Sequence, residues 1–126
     1  MIHGIGTDIV EIRRLAELYA RHGERGLGKL LAAEERADCI ASSDPGRFLA
    51  KRFAAKEALG KALGIGVRAP ATLPAIAVVH DEHGKPGFRY APELEAHMAA
   101  RKLQAHLSLS DEHDYAVAFV VVEIMS

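Results

Sequence analysis

The sequence predicts an α+β fold, a small mixed domain in which a mainly antiparallel sheet packs against one long and several shorter helices. Three observations lead there. Apolar residues alternate with a period of two at both ends of the chain and recur at helical spacing between them. The stretch from Asp44-Pro45 to Gly64 reads as one long helix with a start signal and a stop signal. The closing run is apolar on both faces, which suits a central strand or one covered by another subunit.

Met1 to Val10 reads as a strand, with His3, Ile5, Thr7 and Ile9 on one face and Gly4, Gly6 and Asp8 on the other. The glycine face is nearly bare, so backbone there is predicted to lie open to a ligand or metal ion. From Glu11 the period changes, and Ile12, Leu15, Ala16 and Tyr19 form a helical stripe that stops at Gly23. Leu27 to Leu31 reads as a helical turn, and Ala33 to Ala41 as a short helix ended by Ser42, Ser43, Asp44 and Pro45. Asp44 then caps the long helix, with Pro45 at its first position and Gly64 and Gly66 beyond Leu63.

Ala75 to His80 and Gly87 to Tyr90 flank a turn at His83 and Gly84, which predicts a hairpin. A helix over Ala91 to Arg101 follows, with Pro92 in its first turn. Two strands close the chain, Gln104 to Ser110 and Tyr115 to Ile124, joined through Asp111, Glu112, His113 and Asp114. In the last strand Ala116, Ala118, Val120 and Val122 face one way, and Val117, Phe119 and Val121 the other.

The chain has 126 residues, 49% of them hydrophobic and 26% charged, as an ordinary globular domain has. With no repeat, linker or low-complexity tract, residues 1–126 read as a single domain. The 16 Lys and Arg nearly balance 17 Asp and Glu, for a net charge of −1. Neither nucleic acid nor a membrane surface is therefore an expected partner, and any anion site must be local. The single cysteine, Cys39, allows no internal disulfide, and the longest apolar run falls far short of the roughly 18 residues of a membrane span. A cytoplasmic location is the expectation.

Two places concentrate chemistry. Asp8 follows the two glycines, where it either serves a ligand or caps the next helix with Glu11 in the manner of a capping box. The long helix carries Arg52-Phe53-Ala54-Ala55-Lys56-Glu57-Ala58-Leu59-Gly60-Lys61, the densest charged stretch of the chain. At about 100° per residue, Phe48, Ala55, Leu59, Ala62 and Leu63 share an apolar stripe, and Glu57 and Lys61 lie within about 40° of each other, bordered by Ala50, Ala54 and Ala58. That pair alone reads equally as an ordinary exposed i, i+4 ion pair. Arg52 falls inside the apolar stripe, which calls for a buried partner, an anion or a subunit boundary.

Two carboxylates from separate segments, with a lysine, can serve Mg²⁺ and phosphate chemistry, since Mg²⁺ takes hard oxygen ligands and keeps waters and phosphates in its shell. The seven histidines are dispersed and make no helical zinc motif. The common phosphate-loop, dinucleotide and nucleophile-elbow motifs are absent.

Gly4-Ile5-Gly6-Thr7-Asp8-Ile9-Val10, Arg52-Phe53-Ala54-Ala55-Lys56-Glu57-Ala58 with Lys61-Ala62, Gly84-Lys85-Pro86, and His106-Leu107-Ser108-Leu109-Ser110 through Tyr115-Ala116-Val117-Ala118 together resemble the holo-acyl-carrier-protein synthases. The four motifs stand in the family's order over nearly the whole chain. The resemblance implies a 4′-phosphopantetheinyl transferase that moves the phosphopantetheine arm of coenzyme A onto a serine of apo-acyl carrier protein, releasing adenosine 3′,5′-bisphosphate, in fatty acid biosynthesis. It also implies Mg²⁺ and a homotrimer with active sites at subunit interfaces.

On this resemblance the metal-binding acids fall on Asp8 and Glu57, and the phosphate-contacting lysine on Lys61. These three residues would carry catalysis, with Mg²⁺ neutralising phosphate charge while the protein positions the substrates. Arg52 matches an arginine near the nucleotide's 3′-phosphate. Arg13 and Arg14 match the basic start of the helix that meets the acidic carrier protein. The chain departs from the family pattern where histidine often follows the Ser-Leu-Ser strand and Asp111 stands instead. The nucleotide contact expected there falls to Asp111 itself or to His106 or His113. Glu57, Asp111 and a metal-bound water are the candidates for taking the serine proton. A non-catalytic coenzyme A sensor and a nucleotide pyrophosphate hydrolase are the competing readings; Asp8, Glu57 and Lys61 speak against the first, and the Arg13, Arg14 surface against the second.

Overall fold

A computed structural model of the chain describes all 126 residues. Strands β1 (Ile2–Glu11), β4 (Leu103–Asp111) and β5 (Tyr115–Ile124) form an antiparallel sheet in the order β1-β5-β4. Strands β2 (Ile76–His80) and β3 (Pro86–Tyr90) make a separate antiparallel hairpin. The helices are α1 (Ile12–His22), α2 (Leu27–Leu30), α3 (Ala33–Ala41), α4 (Pro45–Leu63) and α5 (Pro92–Ala100). The predicted α+β class and the order of its elements are those observed. No helix is long and apolar enough to cross a membrane.

Helix α4 is the axis of the molecule. The Asp44 carboxylate accepts the backbone N–H of Arg47 at 3.2 Å, and Pro45 occupies the first helical position, where a missing N–H costs nothing. At the other end Gly64 adopts φ 80°, which only glycine takes without strain, and its N–H donates to the carbonyls of Gly60 and Lys61. The sheet, α1 and α3 surround this helix. Accordingly Leu49, Ala50, Ala54, Ala55, Ala58, Leu59, Ala62 and Leu63 are all buried, a wider arc than one stripe. Ala50, Ala54 and Ala58, which border Glu57 and Lys61 around the helix, are core residues. Phe48, expected in the core stripe, is only half-buried.

The glycine face of β1 is covered rather than open. A Cβ on Gly6 would lie 2.0 Å from the carbonyl oxygen of Ala58, and one on Gly4 would lie 2.1 Å from that of Ala62. The two glycines therefore let the strand backbone meet the helix backbone directly. Bareness in the sequence marks a neighbouring helix here, not space for a ligand. The capping reading of Asp8 also fails, because β1 runs on to Glu11, which is itself the residue before α1 and makes no side-chain cap.

Strand β5 is central, as its two apolar faces predict. Ala116, Ala118, Val120 and Val122 are buried against α4, and each such valine contributes about 1.5–3 kcal/mol. Its other face stays uncovered: Phe119 is 44% exposed, beside Ile5 at 62% and Ile9 at 64% on β1. The register pairs Ile5 with Val121, Thr7 with Phe119 and Ile9 with Val117, so five apolar side chains and Thr7 share the outer surface of the sheet.

Candidate active site

The glycine contact sets the position of Asp8. With Gly6 seated under Ala58, the next inward-facing residue of β1 is brought against the turn of α4 that carries Glu57 and Lys61. Lys61 donates from Nζ to the carbonyl of Thr7 at 2.9 Å and to Asp8 Oδ1 at 3.3 Å. Burial pushes the Glu57 carboxyl above its usual range, the negative charge of Asp8 pushes it further, and Lys61 and Arg14 pull it back. A carboxyl whose proton affinity is raised by a neighbouring carboxylate marks a place short of positive charge. Arg14 reaches the same place over the ring of Phe53, 5.5 Å from its centroid. Arg13 instead pairs with Glu17 at 3.4 Å and Glu11 at 3.7 Å, well exposed.

No cluster of three or more His, Cys, Asp or Glu side chains suited to a metal occurs in the chain. Asp8 and Glu57 nonetheless match what Mg²⁺ takes from proteins, one or two carboxylates with the rest of its shell left to water and phosphate. The charge of Asp8 acting on the half-buried Glu57 carboxyl is what fits the pair to a divalent cation. They could hold one.

A second cluster lies on a different face of α4, about 140° around the helix from Glu57. Arg52 donates from Nη1 to Glu35 Oε2 at 3.1 Å and to the carbonyl of Val78, and its guanidinium stacks on Phe48 at 4.4 Å. It lines a cleft with Arg47, Lys51 and His80. Asp111 contacts two residues of that cleft, accepting from Arg47 Nη1 at 2.8 Å with Lys51 Nζ at 3.7 Å. His106 sits on the outer surface of the sheet, where its Nε2 meets Glu123 Oε1 at 2.7 Å, while Asp8 faces inward. His113 is exposed and contacts Asp114 at 3.0 Å. One chain thus gathers Asp8, Glu57, Lys61 and Arg14 in one place, and Arg52 and Asp111 in another.

Three residues of these clusters escaped the sequence reading. Lys56 is fully buried and donates to Glu35 Oε1 at 2.6 Å and to the carbonyls of Leu30 and Leu73 at 2.9 and 3.0 Å. Its signal was available, since it lies about 40° from Arg52 in the same apolar stripe. Glu35, 2% exposed, accepts from Lys56, Arg52 and the N–H groups of Ala32 and Val78. Arg47 donates to Asp111 and to the carbonyls of Glu112 and His113, tying the β4–β5 turn to α4. Nothing local in the sequence marks the last two.

Residues 4–120 match the family described as the 4′-phosphopantetheinyl transferase superfamily. A holo-[acyl-carrier-protein] synthase of Azoarcus sp. (strain BH72) is 61% identical over 123 residues, which is 98% of each chain. Among solved structures, the holo-[acyl-carrier-protein] synthase of Neisseria meningitidis has a TM-score of 0.92 at 43% identity, covering 98% of this chain and 99% of its own. That of Bacillus anthracis str. Ames, in complex with CoA (3′,5′-ADP), has a TM-score of 0.82 at 33% identity over 99% of each chain.

Proposed function

The chain belongs to the holo-[acyl-carrier-protein] synthases of the 4′-phosphopantetheinyl transferase superfamily, and we propose that it transfers the 4′-phosphopantetheine group of coenzyme A to a serine of apo-acyl carrier protein, in the cytoplasm and in the service of fatty acid biosynthesis. The observation that carries this reading is the seating of α4 on Gly4 and Gly6, which holds Asp8 against Glu57 and Lys61. The serine oxygen bonds to the phosphorus that carries the pantetheine arm as the bond from that phosphorus to the nucleotide breaks, and adenosine 3′,5′-bisphosphate leaves. Asp8 and Glu57 would hold Mg²⁺, which when bound would supply neutralisation of phosphate charge. Lys61, fixed by Thr7 and Asp8, offers its remaining N–H to a phosphate oxygen. Glu57 is the side chain of this cluster placed to receive the serine proton, through a carboxylate oxygen that the cation leaves free. Arg52 lies beside the nucleotide's 3′-phosphate, with Asp111 bordering that cleft and His106 a contact contributed from the sheet surface.

The active unit of this proposal is a homotrimer. The apolar strip of Ile5, Ile9 and Phe119 supports it, because soluble monomers rarely leave such a strip bare. The divergence of the two clusters on α4 supports it as well: a donor touching both would lie between two subunits. Phe119→Asp is expected to convert the trimer to monomer and to abolish transfer. Light scattering that shows no change of mass would remove this assembly.

Arg14, at the mouth of the Asp8 and Glu57 cluster, meets the acidic carrier protein together with Arg13. Reversing its charge in Arg14→Glu is expected to raise KM for the carrier protein about tenfold and leave KM for coenzyme A unchanged. An unchanged KM for the carrier protein would refute that docking site.

Intact mass spectrometry of apo-acyl carrier protein, incubated with the protein, coenzyme A and Mg²⁺ and again with chelator, tests the reaction. A metal-dependent gain of about 340 Da on the carrier is expected. Cleaved coenzyme A with an unmodified carrier would point to a hydrolase, and bound but intact coenzyme A to a sensor.

A further inference from the structure

Arg52 spends one nitrogen on the protein and keeps two free. Every hydrogen bond it makes runs from Nη1. No buried side-chain polar atom in the chain lacks a partner, so Nε and Nη2, which have none, reach solvent. The guanidinium lies over the Phe48 ring, 4.4 Å from its centroid, and lines the cleft with Arg47, Lys51 and His80. A carboxylate that grips an arginine this way ordinarily cancels its charge as well, which would leave a poor anion ligand. Here Glu35 is gripped at the same time by Lys56, a second cation with no exposure to water. Burial lowers the proton affinity of Lys56, but its Nζ donates to three acceptors, which takes all three protons of an ammonium. One carboxylate therefore stands against two cations, and the buried triad carries a net charge of +1.

We infer that Glu35 and Lys56 are a buried positioning pair for Arg52: Glu35 fixes the guanidinium at Nη1, and Lys56 cancels the carboxylate so that Nε and Nη2 present a full positive charge to a phosphate in the cleft. Charged hydrogen bonds gain strength from such pre-orientation, because the donor is not reorganised when the anion arrives. The depressed proton affinity of His80, due first to burial and then to Arg52 and Lys51, agrees with an Arg52 charge that is felt inside the cleft. Neither member of the pair touches substrate.

The inference rests on the proposed place of Arg52 beside the 3′-phosphate, and the test separates the two. Steady-state transfer is measured with coenzyme A and with 3′-dephospho-coenzyme A as donors. Arg52→Gln first fixes how much of the preference for coenzyme A passes through Arg52; a preference that survives it overturns the nucleotide placement and the inference with it. Lys56→Met leaves Glu35 to cancel Arg52, and is expected to cut the preference about tenfold through KM with kcat little changed. The double variant Glu35→Gln, Lys56→Met frees Arg52 of a charged partner while the amide oxygen in place of the carboxylate still accepts a hydrogen bond, and is expected to regain most of the preference. A purely structural pair predicts the double variant to be no better than the single one, and that result, or an unchanged preference in Lys56→Met, overturns the inference. Should Lys56→Met not fold, Glu35→Gln alone reads the same charge from the other side: the preference rises if the inference holds, and stays level or falls if it does not.

Discussion

Gly6→Ala is expected to destabilise the protein by about 3 kcal/mol or more and to cost at least about a hundredfold in transfer rate. The added methyl would stand 2.0 Å from the Ala58 carbonyl oxygen, and that oxygen belongs to the backbone of a helix already enclosed by the sheet and α1. No rotamer relieves the clash; strand and helix must part. A parting of even about 1 Å withdraws Asp8 from Lys61 and Glu57, so stability and chemistry fall together. Calorimetry should show the melting temperature lowered by roughly 10 °C. Gly87→Ala is the control, because a methyl there meets nothing within 4 Å. If Gly6→Ala melted and turned over like Gly87→Ala, backbone contact would not be what positions the site.

Asp8→Asn and Glu57→Gln should behave in the opposite sense, each losing roughly a thousandfold in transfer while the fold stays intact. Each substitution keeps the shape of the side chain and removes one of two charges that disfavour each other, so the melting temperature should hold or rise slightly. The heat of Mg²⁺ binding, followed by titration calorimetry in the presence of coenzyme A, should vanish with the rate. Transfer at the parental rate in either variant at limiting Mg²⁺ would remove the two acids from the metal site.

Element boundaries were legible because they rest on local chemistry. Asp44-Pro45 and Gly64 punctuate α4, alternation marks β1 and β5, and Gly84 at φ 81° turns the hairpin, with Asp81 Oδ1 accepting from the N–H groups of His83 and Lys85. The juxtaposition of Asp8 with Glu57 and Lys61 was legible only through the family resemblance, since the two segments lie far apart in the chain. Where the reading went astray, the missing information was tertiary. Bare glycines mean open space or a close neighbour, and nothing in Gly4-Ile5-Gly6 says which. A helical wheel gives the direction of Lys56 but not the presence of Glu35, which arrives from another helix to make burial of an ammonium tolerable.

The antiparallel ladder that holds Asp8 opposite Ala118 has a consequence for the order of events in folding. The strand that carries Asp8 has no other hydrogen-bonded strand beside it, so its ladder is not formed until the last strand of the chain is in hand. During synthesis α1 to α5 can gather before β5 emerges, but β1 then has only α4 to hold it, and the alignment of Asp8 with Glu57 is locked when the final hairpin docks. Loop closure of this length makes that docking a slow step compared with helix formation. Activity should therefore appear late on refolding, in step with sheet formation rather than with helical signal, and a chain released before β5 should carry Asp8, Glu57 and Lys61 and catalyse nothing.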